Sequence, residues 1–208
     1  MKVGVLGGTF DPIHIAHTAV AEEARRELEL DYIVFIPAGQ PWMKEGQLVS
    51  PASLRLEMVK KAIAKAPFFK VSSLEVESSK PSYTIETILA LHRELGEGVE
   101  LNLILGADAL AQMPQWKNPA QILEICTLVV VDRPGHGRTQ GRNLDEPLPG
   151  MPGKMKVLRG PLLSISGTEI RRRVAEGTSI RHLVSEKVER FIVENNLYVK
   201  GENNGQDE

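Results

Sequence analysis

The chain has 208 residues, 42% of them hydrophobic, a length and composition suited to one soluble core with elaborations and not to a disordered or fibrous chain. Charge is nearly balanced, with 25 Lys and Arg against 27 Asp and Glu overall, 11 against 14 in positions 1–104 and 14 against 13 in 105–208, so a surface that coats nucleic acid is excluded. The longest apolar runs, such as Ile33 to Ile36 and Leu128 to Val131, are far shorter than the ~20 residues of a membrane span, the opening Met1 to Gly7 lacks the apolar stretch of a secretory signal, and the single Cys126 builds neither a disulfide nor a thiolate zinc site; a cytoplasmic protein with no membrane partner is expected.

In chain order, Lys2 to Gly7 reads as a strand, Ile13 to Leu28 as a helix with Ile13, Ala16, Val20, Ala24 and Leu28 on one face, and Tyr32 to Ala38 as a second strand. Ser50-Pro51 caps a helix over Ala52 to Ala64, and Lys70 to Val76 is extended. Tyr83 to Leu95 is helical, Glu100 to Gly106 a buried strand, Pro119 to Ile125 a helix and Thr127 to Asp132 a Val-rich strand. Between Pro134 and Pro161 fall 11 of the chain's 31 Gly and Pro residues, which predicts a long loop over 134–161, a lid or an insertion, with only a weak strand at Lys156 to Leu158. The helices Gly167 to Ala175 and Ser185 to Asn195 follow, the second packing through Leu183, Val188, Phe191 and Ile192, and positions 200–208 form a polar, disordered tail. Apolar β-branched strands alternating with helices predict one α/β domain over 1–199, a Rossmann-like, doubly wound, mostly parallel sheet with helices on both faces and a C-terminal helical pair. Ligands bind such sheets beyond the carboxyl ends of the strands, so the loops after the strands are the places to search.

The first strand ends in Gly7-Gly8-Thr9-Phe10, and Gly-Gly before a helix suits an anion site built from backbone N–H groups and the positive end of the helix dipole. A tight turn explains glycines alone equally well. His14 and His17, three apart at the helix start, project from one face toward the same space and add two donors for one anion. A metal site would need a third ligand and the sequence has no H-E-x-x-H pattern, so no metal-ligating residues are assigned. Near the chain end, Ser166 followed by Glu169 fits a capping box, which leaves Arg171 unexplained; Ser166, Thr168 and Arg171 at a helix N-terminus would suit a polyphosphate, with Arg172 and Arg173 solvated.

Gly8-Thr9-Phe10-Asp11-Pro12-Ile13-His14-Ile15-Ala16-His17 resembles the first motif of the nucleotidylyltransferase superfamily, G-x-F-D-x-x-H-x-G-H, with Ala16 for its usual Gly, and Ile165 to Arg171 resembles that superfamily's I-S-x-T-x-I-R. The resemblance implies that His14, His17 and Arg171 are catalytic, contacting triphosphate and pyrophosphate, and that Gly7, Gly8, Thr9, Phe10, Ser166 and Thr168 bind ATP, which brings Mg²⁺ as cofactor. Three further segments are similar to the bacterial nicotinate mononucleotide adenylyltransferases. Pro37 to Lys44 resembles their P-x-x-x-P-x-x-K loop, with Met43 where a His is usual, and puts Lys44 on a substrate phosphate. Ser82-Tyr83-Thr84-Ile85-Glu86-Thr87 resembles their S-Y-T-x-x-T helix start, with Thr84 on the nicotinate carboxylate. Gly106-Ala107-Asp108 and Trp116 resemble their G-x-D and Trp, with Asp108 near the ATP sugar and Trp116 stacked on the pyridine ring; Lys117 stands in an aromatic position where a backbone N–H would serve. Asp132-Arg133-Pro134-Gly135 matches a loop beside the adenine and adds Arg133.

Packing remains an alternative for Trp116, and helix capping for Thr84 and Asp108. The implied partners are ATP and nicotinate mononucleotide, and the implied reaction is adenylyl transfer giving deamido-NAD and pyrophosphate. Nicotinamide mononucleotide or phosphopantetheine as acceptor, and a non-catalytic nucleotide sensor, stay open, and the sequence assigns no oligomeric state.

Overall fold

The computed structural model describes residues 1–41, 49–132 and 154–199. Six strands, β1 (Lys2–Gly8), β2 (Tyr32–Pro37), β3 (Phe69–Val71), β4 (Glu100–Gly106), β5 (Cys126–Asp132) and β6 (Met155–Arg159), form one parallel sheet in the order β3-β2-β1-β4-β5-β6. Seven helices are described: α1 (Ile15–Leu28), α2 (Ala52–Ile63), α3 (Thr84–Leu95), α4 (Ala107–Gln112), α5 (Pro119–Ile125), α6 (Gly167–Ala175) and α7 (Glu186–Glu194). The α/β class, the parallel sheet and the C-terminal helical pair are those expected.

Both faces of the central strands are apolar because each strand feeds two cores. Ile33 and Phe35 of β2, Ile104 of β4 and Val129 and Val131 of β5 pack on the face that carries α1, α2, α6 and α7. Val34 and Ile36, Leu101, Leu103 and Leu105, and Leu128 and Val130 turn to the opposite face with α3, α4 and α5. The period of two divides a continuous hydrophobic run between two layers, and each fully buried large side chain contributes roughly 1.5–3 kcal/mol. Helix α1 buries Ala16, Val20, Ala21 and Ala24, mostly small side chains that allow close approach to the sheet, and it ends at Glu29 in the left-handed region (φ 53°). Cys126 is buried at the start of β5, where desolvation pushes its thiol up to about 12, so it packs as a small hydrophobe and is not a nucleophile.

Several local expectations are corrected. Strand β3 covers only Phe69–Val71 because its register with β2 ends at Phe35↔Val71, the Ser72 N–H giving a last bond to the Phe35 carbonyl at 2.9 Å; beyond it the Glu75 carbonyl lies so close to Gly39 that a Cβ there would sit 1.9 Å from it. The first helix begins at Ile15, with His14 as its extended N-cap. Pro51 occupies the cap position of α2, and the Ser50 backbone serves other partners, described below. The stretch 155–159 of the expected loop is a full strand, made regular by pairing with β5 along Leu128↔Met155 to Asp132↔Arg159. A short helix, α4, follows β4 directly, a feature that its six residues are too few to signal by periodicity. The remainder of the predicted loop and the polar tail lie outside the described residues.

Candidate active site

The strand order reverses between β1 and β4, each of which sends its following helix to a different face, and this is where a crevice must open. The β1–β4 ladder ends at Leu6↔Ile104, whereas β1 continues beside β2 through Gly7↔Ile36 and Gly8↔Pro37. Gly7 and Gly8 therefore border a gap whose other side is Gly106, Ala107 and Asp108, and a cavity of about 370 Å³ occupies it. Gly7, Gly8, Thr9, His17, Thr84, Asp108 and Trp116, all named from sequence, line this cavity.

Neither glycine forms the tight turn that was the alternative to an anion site. Both belong to extended strand β1. A Cβ on Gly7 would meet nothing within 4 Å, so the position faces open space, whereas a Cβ on Gly8 would lie 3.1 Å from the Phe10 ring. Phe10 itself is buried and does not line the cavity; it reaches left-handed backbone (φ 51°) and stands edge-on to His17, ring centroids 5.1 Å apart. It supports the site from beneath.

The two histidines stack with ring centroids 3.7 Å apart, and the His14 backbone N–H donates to His17 Nδ1 at 3.2 Å. With Nδ1 accepting, the neutral ring carries its proton on Nε2, so His17 is set as a donor whose tautomer is fixed by the helix cap. His14 is buried and His17 reaches the cavity wall.

The second motif is joined to the first through Asp11. Ser166 caps α6 by accepting the Glu169 N–H at 3.2 Å, but the return half of the expected box is replaced: the Glu169 carboxylate, held down to about 2 by hydrogen bonds from Arg172 and Arg173, faces those two arginines. Arg171 instead donates to the Asp11 carbonyl at 2.6 Å and to Thr168 Oγ1 at 3.3 Å. Arg171 and Thr168 line a separate depression with Asp11, Ser50 and Tyr198, not the switch-point cavity, and Ser166 lines neither.

At the other end, Trp116 is half-buried against the α3–α5 core with one side on the cavity. Thr84 is the first residue of α3, and neither it nor Asp108 is a cap, since Tyr83 and Gly106 hold those positions. Lys117 lies off the cavity; its ammonium pairs with Glu86 at 2.6 Å and sits 4.6 Å from the centre of the Tyr83 ring. Lys44 and Arg133 lie outside the described residues.

Sequence reasoning missed Glu75 and gave no role to Ser82 and Thr87, which it met only as the two ends of the S-Y-T-x-x-T match. Thr87 donates to Glu75 Oε1 at 2.6 Å, Ser82 Oγ accepts the Gly39 N–H at 2.9 Å, and all three side chains border the cavity. It also missed Arg55, fully buried and donating to the carbonyls of Ser50 (2.8 Å), Thr9 (2.7 Å) and Gly39 (3.1 Å). Its position on the buried face of α2, with Leu56, Met58 and Val59, is the one signal that could have found it: a cation on an apolar stripe needs acceptors.

The described residues contain no helix long and apolar enough to cross a membrane, and no group of three or more His, Cys, Asp or Glu placed to hold a metal ion.

Residues 5–173 match the model of the cytidylyltransferase-like family. A protein of Dehalococcoides mccartyi named a probable nicotinate-nucleotide adenylyltransferase is 42% identical over 198 residues, 95% of this chain and 97% of its own. One of the same name from Roseiflexus sp. is 45% identical over 197 residues, 94% of this chain and 97% of its own. Among solved structures, Plasmodium falciparum nicotinic acid mononucleotide adenylyltransferase complexed with NaAD superposes with a TM-score of 0.75 at 20% identity, covering 95% of this chain and 97% of that one, which establishes the fold. With the full-length relatives and the switch-point cavity in agreement, the chain belongs to the cytidylyltransferase-like family and, within it, to the nicotinate-nucleotide adenylyltransferases.

Proposed function

We propose that the chain transfers the adenylyl group of ATP to nicotinate mononucleotide, giving deamido-NAD and pyrophosphate, as a cytoplasmic enzyme of NAD biosynthesis. The observation that carries this reading is the convergence of the β1 glycines, His17, Asp108, Thr84 and Trp116 on one cavity at the sheet reversal, in a chain 42% identical to a relative of that name. In this reading ATP lies along Gly7, Gly8 and Thr9, over the Phe10 support, with its sugar near Asp108. Its phosphates meet His14, His17 and the α6 residues Ser166, Thr168 and Arg171. The acceptor's pyridine ring stacks on Trp116, and Thr84 and the Lys117 backbone N–H take its carboxylate. Lys44 and Arg133 are assigned to an acceptor phosphate and the adenine side by resemblance alone.

The chemistry asks for donors and cations more than for a nucleophile. The acceptor phosphate, with a second pKa of about 6, is largely dianionic at neutral pH and needs no general base. One of its oxygens attacks the ATP α-phosphorus in line, the new P–O bond forms as the bond to the β-phosphate oxygen breaks, and pyrophosphate departs with its electron pair. Charge that builds on the phosphate oxygens is met by the His17 Nε2–H, His14 and Arg171, so catalysis is positioning and electrostatic stabilisation without a covalent enzyme intermediate.

Mg²⁺ is assigned as ATP's companion, since this ion keeps several waters and binds chiefly through substrate phosphates. When bound it neutralises phosphate charge. Excess EDTA abolishes pyrophosphate release and added Mg²⁺ restores it; full turnover in EDTA would remove the metal from the scheme.

The deciding assay follows pyrophosphate release from Mg²⁺ and ATP with nicotinate mononucleotide, nicotinamide mononucleotide and phosphopantetheine in separate reactions. Release is expected with the first at the highest kcat/KM. Preference for either of the others reassigns the acceptor, and no release with any makes the protein a nucleotide sensor. Trp116→Ala raises the KM for the acceptor by about tenfold, the low end of what loss of one aromatic stack costs, with kcat changed less than about threefold. Unchanged acceptor kinetics would refute the stacking assignment.

A further inference from the structure

Beyond α7 the chain returns to the first motif. Tyr198, held in the left-handed region (φ 65°), donates its hydroxyl to Asp11 Oδ1 at 2.6 Å, while Asp11 Oδ2 accepts the Ser50 N–H at 3.2 Å. Asp11 is buried, and its backbone carbonyl is the oxygen to which Arg171 Nη1 donates at 2.6 Å. Helix α6 sits close against the same oxygen, since a Cβ on Gly167 would lie 2.8 Å from it. Carboxylate and carbonyl belong to one residue flanked by Phe10 in the left-handed region and by Pro12, whose ring restricts φ, so the segment has little freedom to absorb a shift of the carboxylate without moving the carbonyl. Burial, followed by the Asp11 hydrogen bond, raises the Tyr198 phenol above its ordinary value, so it remains a donor.

We propose that Tyr198 is a positioning residue for adenylyl transfer: by holding the Asp11 carboxylate it fixes the carbonyl that anchors Arg171, and thereby sets where the guanidinium meets the nucleotide phosphates. The last described turn of the chain thus tunes a cation presented 27 residues earlier, through an aspartate 187 residues away. The inference rests on the assignment of Arg171 to the phosphates.

The experiment is a cycle of Tyr198→Phe, Arg171→Ala and the double variant, read as kcat and KM with both substrates and as Tm. Tyr198→Phe keeps the ring and removes only the hydroxyl. Its kcat falls about tenfold, as expected for a displaced charge-stabilising group, while the acceptor KM stays within about twofold. Added to Arg171→Ala, the same change lowers kcat by less than about twofold, because the group through which it acts is gone. Wild-type kcat in Tyr198→Phe overturns the proposal, as does an undiminished loss in the Arg171→Ala background or a loss that vanishes at an assay temperature well below Tm. Full turnover in Arg171→Ala alone overturns the reading of Arg171 as a phosphate ligand, and the positioning role with it; a defective Arg171→Ala with an additive Tyr198 effect overturns only the latter.

Discussion

His17→Ala lowers kcat by about 10²–10³-fold, the usual loss when one preorganised donor is removed from a developing oxyanion, while the acceptor KM changes less than about threefold. The expectation follows from the way the ring is held. Its Nδ1 is committed to the His14 N–H at 3.2 Å, and Phe10 stands against its edge, so the imidazole meets the ligand with an orientation and tautomer set before substrate arrives. Preorganisation makes the donor worth more in the transition state than in the ground state, which is why the loss appears in kcat. The stability of the variant is expected close to wild type, because His17 is only half-buried at the rim of the cavity. His17→Gln, which offers an uncharged N–H donor, recovers part of the loss if the neutral Nε2–H form is the active one. Wild-type kcat in His17→Ala would sink the catalytic assignment.

Arg55→Met destabilises the protein by about 3–5 kcal/mol, the range seen when one member of a buried charged network is removed. The guanidinium satisfies three backbone carbonyls from three separate segments, after β1, after β2 and before α2. Burial lowers its pKa from the ordinary value and the nearby Asp11 acts in the opposite sense, so the cation is costly to hold and its removal leaves three buried carbonyls without their donor. For a chain of this size the loss lowers Tm by about 10 °C, measurable by calorimetry. Arg55→Lys recovers little, because a single ammonium cannot present three donors in the directions a planar fork does. A Tm within about 2 °C of wild type for Arg55→Met would show that water or a rearranged loop replaces the guanidinium.

The site and the stability network meet at Thr9, which lines the cavity and whose carbonyl accepts from Arg55, and this ties the two predictions together. The loop after β1 lines the cavity on one side, and on the other its carbonyl at Thr9 is clamped by Arg55. A variant that loosens the clamp is therefore expected to lose kcat as well as stability, whereas His17→Ala separates the two.

Much of this was legible in the order of residues alone. The alternation of β-branched runs with amphipathic helices is written at short range, and it sufficed for the parallel α/β class and for the helical pair at the end. Gly7-Gly8 with His14 and His17, and Ser166 to Arg171, were recognisable because each motif is contiguous and its chemistry depends on neighbours one helical turn apart. Trp116, Thr84 and Asp108 were named from sequence too, as likenesses to a family, and the structure gathers them on the cavity that His17 borders.

What only the tertiary structure decided depends on register between distant segments. The opening of the cavity follows from the β1–β4 ladder stopping at Leu6↔Ile104 while β1 runs on beside β2, a fact of pairing that no local pattern encodes. Strand β6 was legible only as a weak strand over Lys156 to Leu158, behind a loop rich in Gly and Pro, because its full extent, Met155–Arg159, comes from pairing with the edge of β5. Arg55 gained its role from carbonyls 5, 46 and 16 residues away, and Asp11 from a hydroxyl 187 residues away. Hydrophobic periodicity decides which face of an element is buried; the partner of a buried polar group is decided by which loops the sheet brings side by side.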